Sequence, residues 1–310
     1  MTGLYKKLKE YGKVKANESL AKHTTFRIGG PAQMFVIVES REKMVELLDY
    51  LSGEGIEYFI IGGGSNLLLP DEGLDKVVIQ TKFNNIKLDG EEIEAEAGAL
   101  LSQLLDLSAQ NSLSGLSWAA GVPGTIGGAV RGNAGAMGFC TADNVKSVEV
   151  WHDGEVVHLS KDDCEFGYRD SIFKHNSDII LRVWLKLEKT KKEELAKQIQ
   201  YNISCRTGQP KGFSAGCFFK NVNLSDWPGD KSNLPKLFLE RGTVPVGWLV
   251  EQVDMKGKKR GDAQVGVEHG NFILNLDKAR AEDIRGLVDE IKQKVYDKYG
   301  VEIEEEVQII

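Results

Sequence analysis

Two stretches of this chain are almost stripped of side chains. The first, IIGGGSNLLLPDEG at 60–73, runs from an apolar segment into Gly62, Gly63 and Gly64, followed by Ser65, Asn66 and Leu67. Three successive glycines let backbone N–H groups turn inward with no Cβ in the way, which is the chemistry of an anion-binding concavity. The second, WAAGVPGTIGGAVRGNAGAMG at 118–138, holds Gly121, Val122, Pro123, Gly124, Thr125, Gly127, Gly128, Ala129 and Asn133, and its one charge is Arg131. So little bulk cannot build a packed core, so the expectation is that something large presses against the backbone. Pro123 and Gly124 set a turn, and Thr125 is placed to cap a short helix whose N–H groups would face a pyrophosphate.

Neither stretch is a G-x-G-x-x-G fingerprint, and the chain contains no G-x-x-x-x-G-K-[ST] loop. Two separate walls without side chains suit an extended dinucleotide, with pyrophosphate and flat ring both lying along backbone. FAD is such a ligand, and the loops alone do not separate it from another dinucleotide. Glycine use overall points the same way: 34 of 310 residues, about 11% against a usual ~7%.

Other chemistries find little support. The five histidines include no H-E-x-x-H, and Cys140, Cys164, Cys205 and Cys217 form no C-x-x-C pair, so neither a metal site nor a disulfide framework is expected. With 39 basic against 46 acidic side chains, the net charge of -7 argues against a nucleic-acid partner. No apolar run approaches the roughly 18 residues of a membrane helix. The segment 1–15 is lysine-rich and polar, unlike a secretory signal. These features lead us to expect a cytoplasmic, monomeric protein that acts on small molecules.

The elements that must position the loops follow from periodicity. Residues 56–61, 76–80, 91–98, 145–150, 155–159 and 179–187 read as strands. Residues 41–52 and 99–110 carry leucines at helical spacing. A charged break at 187–197 precedes a further helix, and the composition shift divides the chain into 1–195 and 196–310. Beyond it come helical patterns at 235–241, 245–253 and 280–299, with strands at 271–276 and 301–310. Ile284, Leu287, Val288, Ile291 and Val295 form the core-facing stripe of the long helix. The expected fold class is α+β.

At this point the pair GGGSNLL (62–68) and GVPGTIGGAVRGNAGAMG (121–138) resembles the flavin-binding half of the UDP-N-acetylenolpyruvoylglucosamine reductase family. HTTFRIGGPA (23–32), FGYRDSIFK (166–174), SAGCFFKN (214–221), GWLVEQVDMKG (247–257), HGNFILN (269–275) and VEIEEEVQII (301–310) resemble further blocks of that family, in order along nearly the whole chain. The resemblance implies a vanillyl-alcohol-oxidase/PCMH-type FAD-binding domain of two α+β lobes at 1–195. It implies a C-terminal α+β substrate-binding domain at 196–310, without the insertion of the longer family type. It also implies non-covalent FAD on the two glycine-rich loops, with NADPH as hydride donor. The implied reaction reduces UDP-N-acetylglucosamine enolpyruvate to UDP-N-acetylmuramate for peptidoglycan synthesis.

Residue by residue, the resemblance makes Arg169 the arginine that holds the substrate carboxylate and enolate, and a guanidinium fork suits that task. Glu306 matches the terminal catalytic glutamate, with Glu304 and Glu305 as neighbours that could take its place if the register shifts. The family's proton donor is a serine in G-S-x-F-K-N-P, whereas this chain reads Gly216-Cys217-Phe218-Phe219-Lys220-Asn221-Val222. A thiol with reference pKa of about 8.5 is a stronger acid than an aliphatic hydroxyl and stays mostly protonated at neutral pH. Tyr168, Arg206, Lys220 and Asn221 are implied substrate contacts, with Gln209 beside the phosphates. Gly270 and Gln308 are further departures from the pattern. Two other readings compete: an oxidase of the same superfamily with a covalent flavin, for which only His23 and Cys140 lie near the loops, and a non-catalytic nucleotide-binding descendant.

Overall fold

Four strands of the first third pair as a sheet in the order Lys13–Ser19, Pro31–Val38, Leu74–Thr81, Tyr58–Ile61. The last three are parallel, with Phe35 opposite Val78 and Phe59 opposite Val78 from the other side. Parallel strands covered on both faces need continuous apolar sequence, and Phe35, Val36, Val78 and Ile79 are fully buried. Helix α1 (Thr2–Leu8) leads into this sheet, and α2 (Arg41–Gly53) covers the same core with Met44, Leu47, Leu48 and Leu51. A computed structural model describes residues 2–310.

A second sheet, five-stranded and antiparallel, runs Glu155–Ser160, Val145–His152, Ile179–Lys186, Glu92–Glu96, Ile86–Asp89. Helices α3 (Leu101–Gln110) and α4 (Ile126–Arg131) contribute Leu101, Leu104, Ile126 and Val130 to the core it shares with the first sheet. These two lobes form one compact unit: the chain up to Glu18, Ala32–Gly63 and Leu74–Thr207. Helix α5 (Lys192–Ser204) belongs to this unit because Leu195 is buried and Ile199 packs against the first core. The change of unit therefore falls at 207/208, after α5, whereas the boundary expected from composition, 195/196, lies inside that helix.

The second unit comprises Ser19–Pro31, Gly64–Gly73 and Gly208–Ile310. Its core is built from α6 (Lys236–Arg241), α7 (Val246–Gln252), α8 (Ala281–Tyr299) and a small antiparallel sheet of Lys259–Arg260, Ala263–Val265 and Ile273–Asn275. The α8 stripe is buried as its spacing requires. The carboxylate of Asp71 accepts from the N–H groups of Ala281 and Glu282, at 2.8 and 3.3 Å, capping α8 from far away in sequence. Gly300, at φ 66°, ends it.

The expected C-terminal strand is only partly formed. Gln308–Ile309 pairs in parallel with Leu67–Leu68, while the preceding residues leave regular pairing. The cause is local: Glu306 N and Val307 N both donate to Phe218 O, at 2.8 and 3.3 Å, so two residues face one. That is a β-bulge, a device that re-aims a side chain.

Candidate active site

In unit one the two glycine-rich loops meet. A Cβ on Gly62 would stand 2.6 Å from Thr125 Oγ1, and one on Gly63 would stand 3.0 Å from Gly124 Cα. Thr125 caps α4 as expected, its hydroxyl accepting from Gly128 N at 3.4 Å. The N–H groups expected to face a pyrophosphate are, however, already used. Ile126 N donates to Ala99 O at 2.8 Å, Gly127 N to Ala97 O at 2.9 Å and Ala129 N to Thr125 O at 2.9 Å. The start of this six-residue helix is tied to the chain leaving Glu92–Glu96, and it offers no anion site.

The smallness of the second loop has two causes. Gly127 is required by protein packing, since its Cβ would lie 2.9 Å from that of Ala97, and Gly135 lies against the backbone of Phe139 and Cys140. Gly63, Gly121, Pro123 and Gly128 are instead exposed. A Cβ on Gly128 would meet nothing closer than 3.5 Å, and the N–H of Gly63 has no acceptor among the described residues. This exposed rim of bare backbone fits a flat, phosphate-bearing cofactor; Gly62, Gly63 and the 121–128 turn would hold it. Trp118, buried just before the turn, has an indole N–H without an acceptor among the described residues.

Other loop residues serve the protein itself. Asn133 is buried and both ends of its amide are engaged: Oδ1 accepts from Ala142 N at 3.0 Å and Nδ2 donates to Gly167 O at 2.8 Å. Asn66 Nδ2 donates to Glu306 O at 2.9 Å, and Leu67 pairs with Gln308. Gly64, Ser65, Asn66 and Leu67 thus belong to unit two, where Thr25 Oγ1 donates to Ser65 O.

Arg169 sits in a two-residue turn, Tyr168–Arg169, closed by reciprocal N–H···O bonds between Gly167 and Asp170 at 3.0 and 3.3 Å. Its φ of 56° is in the left-handed region, which costs an L-residue roughly 1–2 kcal/mol. Such an outlier persists only when its surroundings hold it. Three side-chain donors do so by binding the turn to the glycine-rich loop: Asn133 to Gly167 O, Ser171 Oγ to Arg131 O at 2.7 Å, and Arg169 Nη2 to Gly135 O at 2.6 Å. Lys174 Nζ adds a bond to Arg169 O at 2.6 Å. The guanidinium also lies 5.5 Å from the Tyr168 ring centroid, and Tyr168 is exposed. Burial raises the Asp170 carboxyl, but the hydrogen bond and charge of His175, the Ser171 N–H and the charge of Lys174 together hold the group below its usual range.

The segments that carry Cys217 and Glu306 are joined by backbone in unit two. The 217–220 segment lies between two stretches of chain: Cys217 bridges Phe272, and Phe219 bridges Glu305. Gly216, at φ 82°, turns the chain into this segment. Both Cys217 and Glu306 are half-buried. Glu304 pairs with Lys220 at 3.0 Å and Glu305 with Lys292 at 2.9 Å.

Three expected substrate contacts have protein roles here. Lys220 holds Glu304, and Asn221 Oδ1 accepts from Val246 N at 3.3 Å at the start of α7. Arg206 lies in unit one, where Nη2 donates to Trp118 O at 3.4 Å and Cδ packs on Gly121. It therefore buttresses the cofactor turn. Sequence reading missed Ser171, Lys174 and Asn271. Only Asn271 leaves a trace in sequence, as a polar residue opening the apolar run FIL.

Known proteins resemble this chain over nearly its whole length. Residues 209–310 match a family model described as UDP-N-acetylenolpyruvoylglucosamine reductase, C-terminal domain, and residues 32–160 match one described as FAD binding domain. The chain is 36% identical to the UDP-N-acetylenolpyruvoylglucosamine reductase of Caldanaerobacter subterraneus, over 99% of this chain and 98% of that one. It is 36% identical to the reductase of that name from Bacillus subtilis, over 98% and 96%. The crystal structure of UDP-N-acetylenolpyruvylglucosamine reductase from Thermus caldophilus superposes with a TM-score of 0.78 at 35% identity, covering 96% of this chain and 98% of that one. No described helix is long and apolar enough to cross a membrane.

Proposed function

We propose a two-step flavin reaction for this chain, which belongs to the UDP-N-acetylenolpyruvoylglucosamine reductase family. It reduces the enolpyruvyl ether of UDP-N-acetylglucosamine in peptidoglycan precursor synthesis. The chemistry that non-covalent FAD supplies when bound is hydride relay, from NADPH to C3 of the enolpyruvyl group. Everything else falls to side chains of the protein.

Arg169 takes the substrate carboxylate in its guanidinium fork and stabilises the charge that develops when hydride arrives at C3. The strain at its φ of 56° supports this role, because a turn that only reversed the chain would favour glycine there. Cys217 gives its thiol proton to C2, completing the new C–H bond, and the thiolate regains a proton from solvent. Glu306 polarises the enolate or tunes the thiol, and its neighbours are committed to Lys220 and Lys292. Tyr168, Lys220 and Asn221 are the proposed contacts of the UDP-sugar.

The observation that supports the reading is the lacing of the Cys217 segment to the tail through Phe218 O, which joins the stretches that bear the thiol and the Glu306 carboxylate. Anaerobic stopped-flow tests it. NADPH should bleach the flavin band, and UDP-N-acetylglucosamine enolpyruvate should restore it. Colour that returns only with oxygen would mean an oxidase instead.

A further inference from the structure

We propose that Asn271 is a positioning residue for the Cys217 acid, a role that rests on the reading of Cys217 given above. Asn271 is 3% exposed, among the least accessible polar side chains of unit two. Its Oδ1 accepts from Phe219 N at 2.9 Å and its Nδ2 donates to Phe219 O at 2.8 Å. Its own carbonyl accepts from Phe218 N at 2.7 Å. Next to it, Phe272 bridges Cys217.

The other edge of the thiol segment is bound to the tail by backbone bonds and by the Lys220–Glu304 ion pair. Lys220 N donates to Glu304 O at 2.9 Å, and Glu306 N donates to Phe218 O at 2.8 Å. Asn271 therefore supplies with a side-chain amide the donor and acceptor that a paired strand would give to Phe219. Only an amide presents both in one plane; a carboxylate presents acceptors only, and an aliphatic residue neither. Phe219 is 1% exposed, so water cannot replace either bond. An unpaired buried N–H and C=O would push the segment to a new register or tilt. The thiol two residues earlier would move with it, and proton transfer to carbon does not tolerate such displacement.

The amide is itself held in place. Asn271 N donates to His269 Nδ1 at 3.2 Å, which requires that nitrogen to be unprotonated. Burial, with Lys256 nearby, holds His269 below its usual pKa and preserves that state.

The test uses full-length, FAD-loaded protein carrying Asn271→Asp or Asn271→Ala. FAD content and the rate of bleaching by NADPH should stay within about twofold of wild type. The return of colour with UDP-N-acetylglucosamine enolpyruvate should slow by about ten- to hundredfold, part of what a positioned acid contributes. That loss should appear in kcat more than in KM. The rate at which iodoacetamide alkylates Cys217, followed by mass, should also change. Lowering the pH should rescue Asn271→Asp, because a protonated carboxyl can donate to Phe219 O, and should not rescue Asn271→Ala. If Asn271→Ala does not fold, the aspartate variant and its pH rescue carry the test alone. Wild-type rates of colour return and alkylation in the variants would overturn the proposal. So would FAD content and bleaching that fall in step with colour return. Wild-type protein that is never reoxidised by the UDP-sugar would instead overturn the functional reading, while the alkylation rates still judge Asn271.

Discussion

In unit one the Arg169 turn hangs from the glycine-rich loop by side-chain donors, those of Asn133, Ser171 and Arg169 itself. In unit two the 217–220 segment is laced by bonds along both edges, and the Asn271 side chain binds the backbone of Phe219 on both its N–H and its C=O. Point anchors suit a charged group that holds a planar ligand, since a guanidinium fork tolerates small shifts while keeping its attraction. A ladder suits a proton donor, whose distance to carbon must be held closely. The arginine also sits in a strained turn, at φ 56°, whereas the thiol follows a glycine that meets the turn's demand at Gly216. Strain is thus concentrated at the arginine proposed to present charge, and saturation of backbone bonds at the thiol proposed to deliver a proton.

The sharpest way to break this comparison is at the thiol. Cys217→Ala should leave bleaching by NADPH intact and lower turnover by about 10²–10⁴, the usual worth of a placed acid. Cys217→Ser should keep much of the turnover. Full activity in the alanine variant would remove Cys217 from the chemistry. Arg169→Lys keeps the charge but loses the fork, and kcat/KM should fall by about 10²–10³, the scale of one lost transition-state contact; a near-normal value would reduce Arg169 to a structural anchor.

Smaller effects separate the two causes of the bare loop. Gly127→Ala should destabilise the protein by about 1–3 kcal/mol, because its Cβ has no room beside Ala97. Gly128→Ala should keep or slightly raise thermal stability without cofactor, since it improves a helix position and meets nothing near, yet it should weaken FAD binding in a fluorescence titration. Equal FAD affinity in both variants would show that the exposed rim does not touch the cofactor. The smallest effect concerns pH. His269 is held neutral by burial in the folded state, so the unfolded chain takes up its proton more readily as pH falls through about 6.5. Stability to urea should therefore decline below that pH, and His269→Asn should flatten the decline.

Much of the fold was legible because local periodicity is a direct consequence of burial. The leucines of α2 and α3, the stripe of α8 and the apolar Val77, Val78 and Ile79 of the strand expected at 76–80 each face a core in the way their spacing requires. The glycine-rich loops were legible as special, but their purpose was only half readable. A glycine that makes room for Ala97 and one that leaves bare backbone look alike in sequence. The same ambiguity affected Asn66 and Asn133, whose side chains bind distant backbone. A polar residue beside glycines says that a hydrogen bond is needed, not with whom.

By itself the amino-acid order determined most of the helices and strands, the two walls of small residues and the blocks that carry the family resemblance, because each depends on neighbours within a few turns of chain. Only the tertiary structure decided that α4 spends its first N–H groups on Ala97 and Ala99. It also decided that Asp71 caps α8 and that a bulge at Glu306 and Val307 sets the tail against the Cys217 segment. Those bonds join residues tens to hundreds of positions apart, and which donor finds which acceptor across such distances is settled by packing, not by local propensity.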